Sequence, residues 1–325
     1  MREVTVVHGG RVDLAASTDV DGRPVDTAQD RWAWPLDVLA IDPIGYARFV
    51  PKTSAHAIAG ISDGQAVLGS TSAELRRLSA GGRIALTDGT DLGVTAVVDD
   101  SAVAAAELVV DLATGRRIGI TTPRFLLVAY DGDRASLEEA IRGQTSEATP
   151  IRIRTPGETP FLRHGDAVLP QSHIKQRFGE FSYRPPAPGV EDFRQDPAWQ
   201  AENIVTADLP LIGAARCHRA VVQAVQGALA EIDDDGLDHL VDPDGFAGCH
   251  NPRLIAPNGA VSRHAWGVAV DLNAGANPTG TGSAQDQRLI KTFARWGFTW
   301  GGFWLVPDPM HLEYLRPPDR AATDG

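Results

Sequence analysis

One stretch near the C-terminal end constrains this chain more than any other: Ser262-Arg-His-Ala-Trp-Gly-Val-Ala-Val-Asp-Leu-Asn273. It sets His264 and Asp271 seven residues apart across a glycine and a short apolar run. Val268-Ala269-Val270 reads as a buried strand, because β-branched residues bounded by Gly267 and the polar Asn273 favour extended backbone. A turn at Gly267 lets the histidine before the strand and the aspartate at its end converge on one point. About forty residues later comes Asp308-Pro-Met-His-Leu-Glu-Tyr314, a second histidine with carboxylates on both sides. Two histidines and one carboxylate make a three-ligand zinc site with the fourth position left for water, which is hydrolase chemistry.

Spacing assigns further roles. On a strand over 310–315, His311 and Glu313 are two apart and share a face. Glu313 is therefore expected to steady a ligand histidine through its second ring nitrogen. Asp308, three positions before His311 and beyond Pro309, can lean over a metal without ligating it. It is the candidate base for the water proton. Either histidine alone would read as a packed or surface residue; together with Asp271 and the Gly267 turn they read as ligands.

Composition narrows the partners. The net charge of −12 comes with no basic stripe to release phosphate counterions, so no nucleic acid is expected. No run of about twenty apolar residues exists to span a membrane. The N-terminus, Met-Arg-Glu-Val-Thr-Val-Val-His, has no apolar h-region. An extracytoplasmic substrate would then require a signal or anchor not visible in this sequence. Cys217 and Cys249 are either a disulfide formed in an oxidising compartment or two inert core thiols.

In chain order, residues 1–155 are expected to form a β-rich domain. Its candidate strands are Val4–Val7, Val38–Ile41, Ala66–Leu68, Arg83–Thr87, Leu92–Val98, Leu108–Asp111 and Phe125–Ala129, with a closing strand at Ile151–Ile153. Ser72–Leu78 reads as a short capped helix, and Leu137–Ile141 as another. Residues 67–86 loosely resemble, in apolar spacing alone, the extracytoplasmic β-rich domains of bacterial permeases. A scaffolding or localising role, with an envelope protein as partner, is the expectation for this half. His8 and His56 are isolated and read as surface or packed residues. Residues 156–200 form a proline-rich connector whose aromatics, Phe178, Phe181 and Tyr183, suggest that part of it lies along a domain surface. Residues 201–320 form the second domain, an α+β fold with helices on a small antiparallel sheet. Helices are expected at His218–Ile232 and Asp286–Trp296, the latter stopped by Gly297.

The pattern Ser262-x-His264-x-x-Gly267-x-Ala269-x-Asp271, followed by Asp308-x-x-His311, resembles the zinc D-alanyl-D-alanine carboxypeptidase family. That family includes VanY- and VanX-like peptidases and phage L-alanoyl-D-glutamate endolysins. The resemblance covers about residues 205–316. It implies zinc held by His264, Asp271 and His311, and Asp308 as catalytic base. Many members have glutamate at that last position, and the aspartate resembles the endolysin branch. A family arginine that binds the substrate carbonyl or carboxylate is matched by Arg253 in Gly248-Cys-His-Asn-Pro-Arg253, a fork suited to a carboxylate or oxyanion. His250 reads as a non-ligand. Ser262 either lines the site or starts the turn, and Trp266, Trp300 and Trp304 are pocket walls or core.

The resemblance implies a secreted or cell-envelope enzyme acting on peptidoglycan stem peptides at D-Ala-D-Ala. The alternatives are L-Ala-D-Glu endopeptidase activity or a zinc-containing module that binds cell-wall peptides without cutting them.

Overall fold

A computed structural model describes residues 3–145, 151–154, 162–163, 166–256 and 259–317. Two compact units divide the chain, and both α and β elements occur in it. The first comprises Met1–His164, Leu169–Arg194 and Ile255–Ala260; the second comprises Gly165–Val168, Gln195–Leu254 and Val261–Gly325.

The first unit is β-rich. Its organising element is a long strand, Glu3–Thr18, whose inward residues Val7, Val12 and Leu14 are buried. This strand pairs antiparallel with Trp34–Ile41 and, through its far half, with Arg83–Leu86. The ring closes through Leu108–Asp111, Gln65–Gly69 and Asp91–Val98, with parallel pairing at two of its joints. Closure leaves the ring strands without an open edge. Leu14, Leu36, Val38, Leu68, Ile84 and Leu108 fill the core. Pro123–Ala129 lies alongside the first half of the long strand. That strand is far longer than the expected Val4–Val7, because Gly9 and Gly10 continue it instead of breaking it. A β-carbon at Gly9 would sit 2.8 Å from Arg124 Cγ, and one at Gly10 would sit 2.9 Å from Ile120 Cδ1. Close approach of neighbouring groups, not a turn, explains these glycines. The strand expected at Ile151–Ile153 is not formed; residues 151–154 have no regular structure.

Within the proline-rich stretch, Pro156 and Pro160 lie outside the described residues. Gln171–Phe178 forms a helix, and Phe178, Phe181 and Tyr183 are buried. The helix brings Lys175, fully buried, into the first unit, where Nζ lies 2.8 Å from Glu107 Oε1 and 2.9 Å from Glu180 Oε1. It also donates to the Pro35 carbonyl at 2.6 Å. Arg76, equally buried, pairs with Glu180 and Asp26. Burial alone would raise the Glu180 pKa, but the charges and hydrogen bonds of Arg76 and Lys175 outweigh it and hold the carboxyl low. Removing one member of such a set leaves an uncompensated buried charge. Lys175→Ala is expected to cost about 3–5 kcal/mol of stability, read as a fall in the urea midpoint. A change below about 1 kcal/mol would show that the network carries no weight.

The second unit contains a hairpin, Ile204–Leu209 and Gly213–His218. A helix over Val222–Asp234 follows, burying Val225, Ala228, Leu229 and Ile232. It starts four residues later than the expected His218, because His218 ends the strand opposite Ile204. A second helix, Gln287–Arg295, is capped by Asp286, whose side chain accepts from Arg288 N at 2.8 Å. Its apolar face, Leu289, Ile290 and Phe293, is buried, and Phe293 meets Phe298 edge-on. Gly297 follows the helix at φ 90°. The sheet has three antiparallel strands with His311–Tyr314 in the middle, between Ala269–Asp271 and Phe298–Trp300. Among the described residues, no helix is long and apolar enough to cross a membrane.

Candidate metal centre

The strand register brings the first two donors together. Asp271 pairs directly with His311 across the antiparallel ladder, so their side chains leave the sheet on one face. The third donor comes from the turn before the strand. Ser262 caps a single 3-10 turn, Arg263–Trp266, its hydroxyl accepting from His264 N at 3.3 Å. Gly267 then takes the left-handed conformation, φ 69°, and folds the turn back over the strand. A β-carbon at Gly267 would lie 2.8 Å from His218 N. Gly267→Ala therefore meets both a disfavoured backbone and a clash, and is expected to cost about 2 kcal/mol or more. Thermal melts check this, and an unchanged midpoint would contradict it.

His264 Nε2, His311 Nδ1 and Asp271 Oδ1 form a triangle. The two ring nitrogens are 3.2 Å apart, and the carboxylate oxygen lies 3.2 Å from the first and 2.9 Å from the second. All three residues are buried, at 1%, 6% and 6% exposure. They are the group of His, Cys, Asp and Glu side chains that could hold a metal ion among the described residues. Burial works against the charge on Asp271, yet hydrogen bonds and charge from the two histidines outweigh it and hold the carboxyl well below its ordinary range. Burial likewise opposes a charged His311, but the Asp271 bond and charge overcome it, and the ring pKa is raised. The pocket thus favours positive charge beside an ionised carboxylate.

The residues fit a tetrahedral metal ion. Ligand bonds of about 2.0–2.1 Å imply donor separations of about 3.3 Å, close to those present. The tautomer fits as well. His264 Nδ1 lies 3.1 Å from the Cys249 carbonyl, which can only accept, so the proton sits on Nδ1 and the Nε2 lone pair faces the cluster.

The other expected site residues fall in different places. Asp308 is half-buried, with Oδ1 accepting from Thr279 Oγ1 at 2.9 Å, and its charge acts on His311. Glu313 shares the His311 face as expected, but its carboxylate lies 2.8 Å from Arg263 Nε instead of on a histidine ring, and it reaches His311 only through its charge. The reason is local: Arg263, buried one residue before His264, brings a full charge that a carboxylate satisfies better than a neutral imidazole does. Ser262 serves as the turn cap. Arg253 is half-buried, and its carbonyl accepts from Ser262 N at 3.0 Å. Its guanidinium has no hydrogen-bond partner among the described residues. His250 Nε2 meets Gln195 Oε1 at 2.8 Å, away from the cluster, and burial first, then nearby Arg216, lowers its pKa to about 4. Trp266 is core, Trp300 is nearly so with Nε1 donating to the Pro309 carbonyl, and the half-buried Trp304 ring lies 5.1 Å from that of His311. His8 and His56 belong to the first unit.

Sequence reasoning missed Thr279 and Arg263. Thr279 sits in a polar loop that carries no periodic signal. Arg263 is signalled only by a charge beside an otherwise apolar run.

Two imidazoles and a carboxylate as donors, with a further acid nearby, are an arrangement that metal-dependent hydrolases use. Comparison narrows the class: residues 256–314 match a protein-family model described as D-alanyl-D-alanine carboxypeptidase, and the match bears out the family resemblance over that segment. It spans His264, Asp271, Asp308 and His311 and leaves Arg253 outside, and it supports a peptidase. No curated protein and no solved structure matches the chain.

Proposed function

We propose that this chain is a zinc-dependent peptidase that hydrolyses peptidoglycan stem peptides as a D-alanyl-D-alanine carboxypeptidase. The observation that carries the reading is the buried triangle of His264, Asp271 and His311, lying within the segment similar to that family. His264 Nε2, His311 Nδ1 and one Asp271 oxygen would hold the ion. The chemistry zinc supplies when bound is polarisation of the scissile carbonyl and a lowered pKa for a water molecule. Asp308 takes the water proton and later passes it to the leaving amine. The Thr279 hydroxyl, 2.9 Å from one Asp308 oxygen, orients the carboxylate and leaves the other oxygen for that proton. Arg253 receives the terminal carboxylate of the substrate or the developing oxyanion.

Such a substrate places the enzyme outside the cytoplasm, in the envelope or secreted. We assign the peptidase to residues 201–320 and propose that residues 1–155, joined to it through 156–200, localise it through an envelope protein partner. The test is mass spectrometry of a zinc-quantified sample incubated with a stem pentapeptide. Loss of one alanine supports the carboxypeptidase reading. Release of an L-alanyl fragment would move the enzyme to the endopeptidase branch. One zinc per chain with neither bond cut would identify a binding module.

A further inference from the structure

The segment 246–251 has no regular structure, yet its main chain touches the residues of two proposed ligands. Ala247 N donates to the Asp271 carbonyl at 3.0 Å, and Asn251 N donates to the His264 carbonyl at 2.9 Å. Between them, the Cys249 carbonyl accepts the His264 ring proton at 3.1 Å. Ala247 and Asn251 are exposed, and Cys249 is the segment's buried residue, at 0%. An irregular exposed segment with few buried contacts opens locally at low free-energy cost unless something ties it down.

Here the tie is covalent. Cys249 is bonded to Cys217, also at 0% exposure, in the strand Gly213–His218. The adjacent main chain adds one bond, His250 N to the Arg216 carbonyl at 2.9 Å. That strand's end also supports the other side of the turn, since His218 N donates to the Gly267 carbonyl at 3.0 Å. One strand end therefore holds both the 246–251 segment and the turn that presents His264.

The geometry points to the Cys217–Cys249 bridge as a positioning element of the metal centre: it holds the Cys249 carbonyl where it fixes the tautomer and orientation of His264. The inference rests on the zinc reading above. Its consequence is that full metal affinity requires an oxidised bridge, so the site is completed only in a compartment where disulfides persist. Outer-shell partners of ligand histidines typically contribute tenfold to a hundredfold in metal affinity.

The experiment is a competition titration of zinc against a chromophoric chelator, run on oxidised wild type and on the Cys217→Ser/Cys249→Ser chain. Serine leaves no thiol to recruit the ion. Circular dichroism reports the fold of each sample, and the visible spectrum of cobalt(II) bound in place of zinc reports ligand geometry. The expected result is a folded variant that binds zinc tenfold to a hundredfold more weakly, with an altered cobalt spectrum. Equal affinity and an unchanged spectrum would overturn the inference while leaving the zinc reading intact. An oxidised wild type that takes up no zinc overturns the zinc reading and this inference with it. If the variant does not fold, wild type reduced with a phosphine decides: a folded, weak-binding sample supports the positioning role. Loss of fold in both samples overturns it, because the bridge would then serve the whole unit and not the metal centre.

Discussion

Asp308→Ala is expected to keep one zinc per chain and to lose hydrolysis by about two to four orders of magnitude, the usual contribution of a positioned general base. The separation of the two effects follows from the geometry. Asp308 is outside the triangle of donors, and its side chain is held by Thr279, so its removal leaves the cluster of His264, Asp271 and His311 in place. Its backbone carbonyl still accepts from His311 N at 3.1 Å, which keeps the approach to the last strand unchanged. Steady-state rates and metal analysis on one preparation check both halves. Activity within a few-fold of wild type would remove Asp308 from the proton-transfer role.

Asp271→Asn should have the opposite signature, with metal and activity lost together. The amide keeps the size of the carboxylate but not its charge, and the charge is what the pocket is built to balance. Asp271 Oδ1 meets both ring nitrogens at 3.2 Å and 2.9 Å, and the two histidines hold it ionised despite burial. Metal affinity is expected to fall by more than about a hundredfold, beyond the range of outer-shell changes. Zinc per chain after dialysis measures it. Full occupancy in the variant would take Asp271 out of the ligand set and would sink the three-donor reading.

Much of the site was legible along the chain because it is compact in sequence. His264, Gly267 and Asp271 fall within one turn and one strand, and His311 sits at the start of the neighbouring strand. Period-two alternation and a glycine that must reverse the chain are both local properties. Elsewhere the local signals are silent or misleading. The apolar run of the first strand ends at Val7, yet the strand continues through Gly9 and Gly10, which Arg124 and Ile120 approach too closely for side chains. His218 looked like the start of a helix because the apolar spacing begins just after it, but its strand partner Ile204 claims it. Face and spacing alone point Glu313 at a histidine, because nothing local in the chain marks Arg263 as its nearer partner.

The chemistry available is local to the chain: which side chains can donate to a metal, which acid stands apart from them, and which backbone position needs glycine. These follow from residue type and short-range geometry, which do not depend on the rest of the fold. Tertiary structure alone decided how those groups are satisfied. It put the Cys249 carbonyl on His264, Thr279 on Asp308 and Arg263 on Glu313. The proline-rich stretch likewise gained a helix whose buried lysine answers Glu107 and Glu180. A buried polar group must find a partner, and which partner it finds is set by whatever distant segment packs nearest, a distance that no local pattern in the chain encodes.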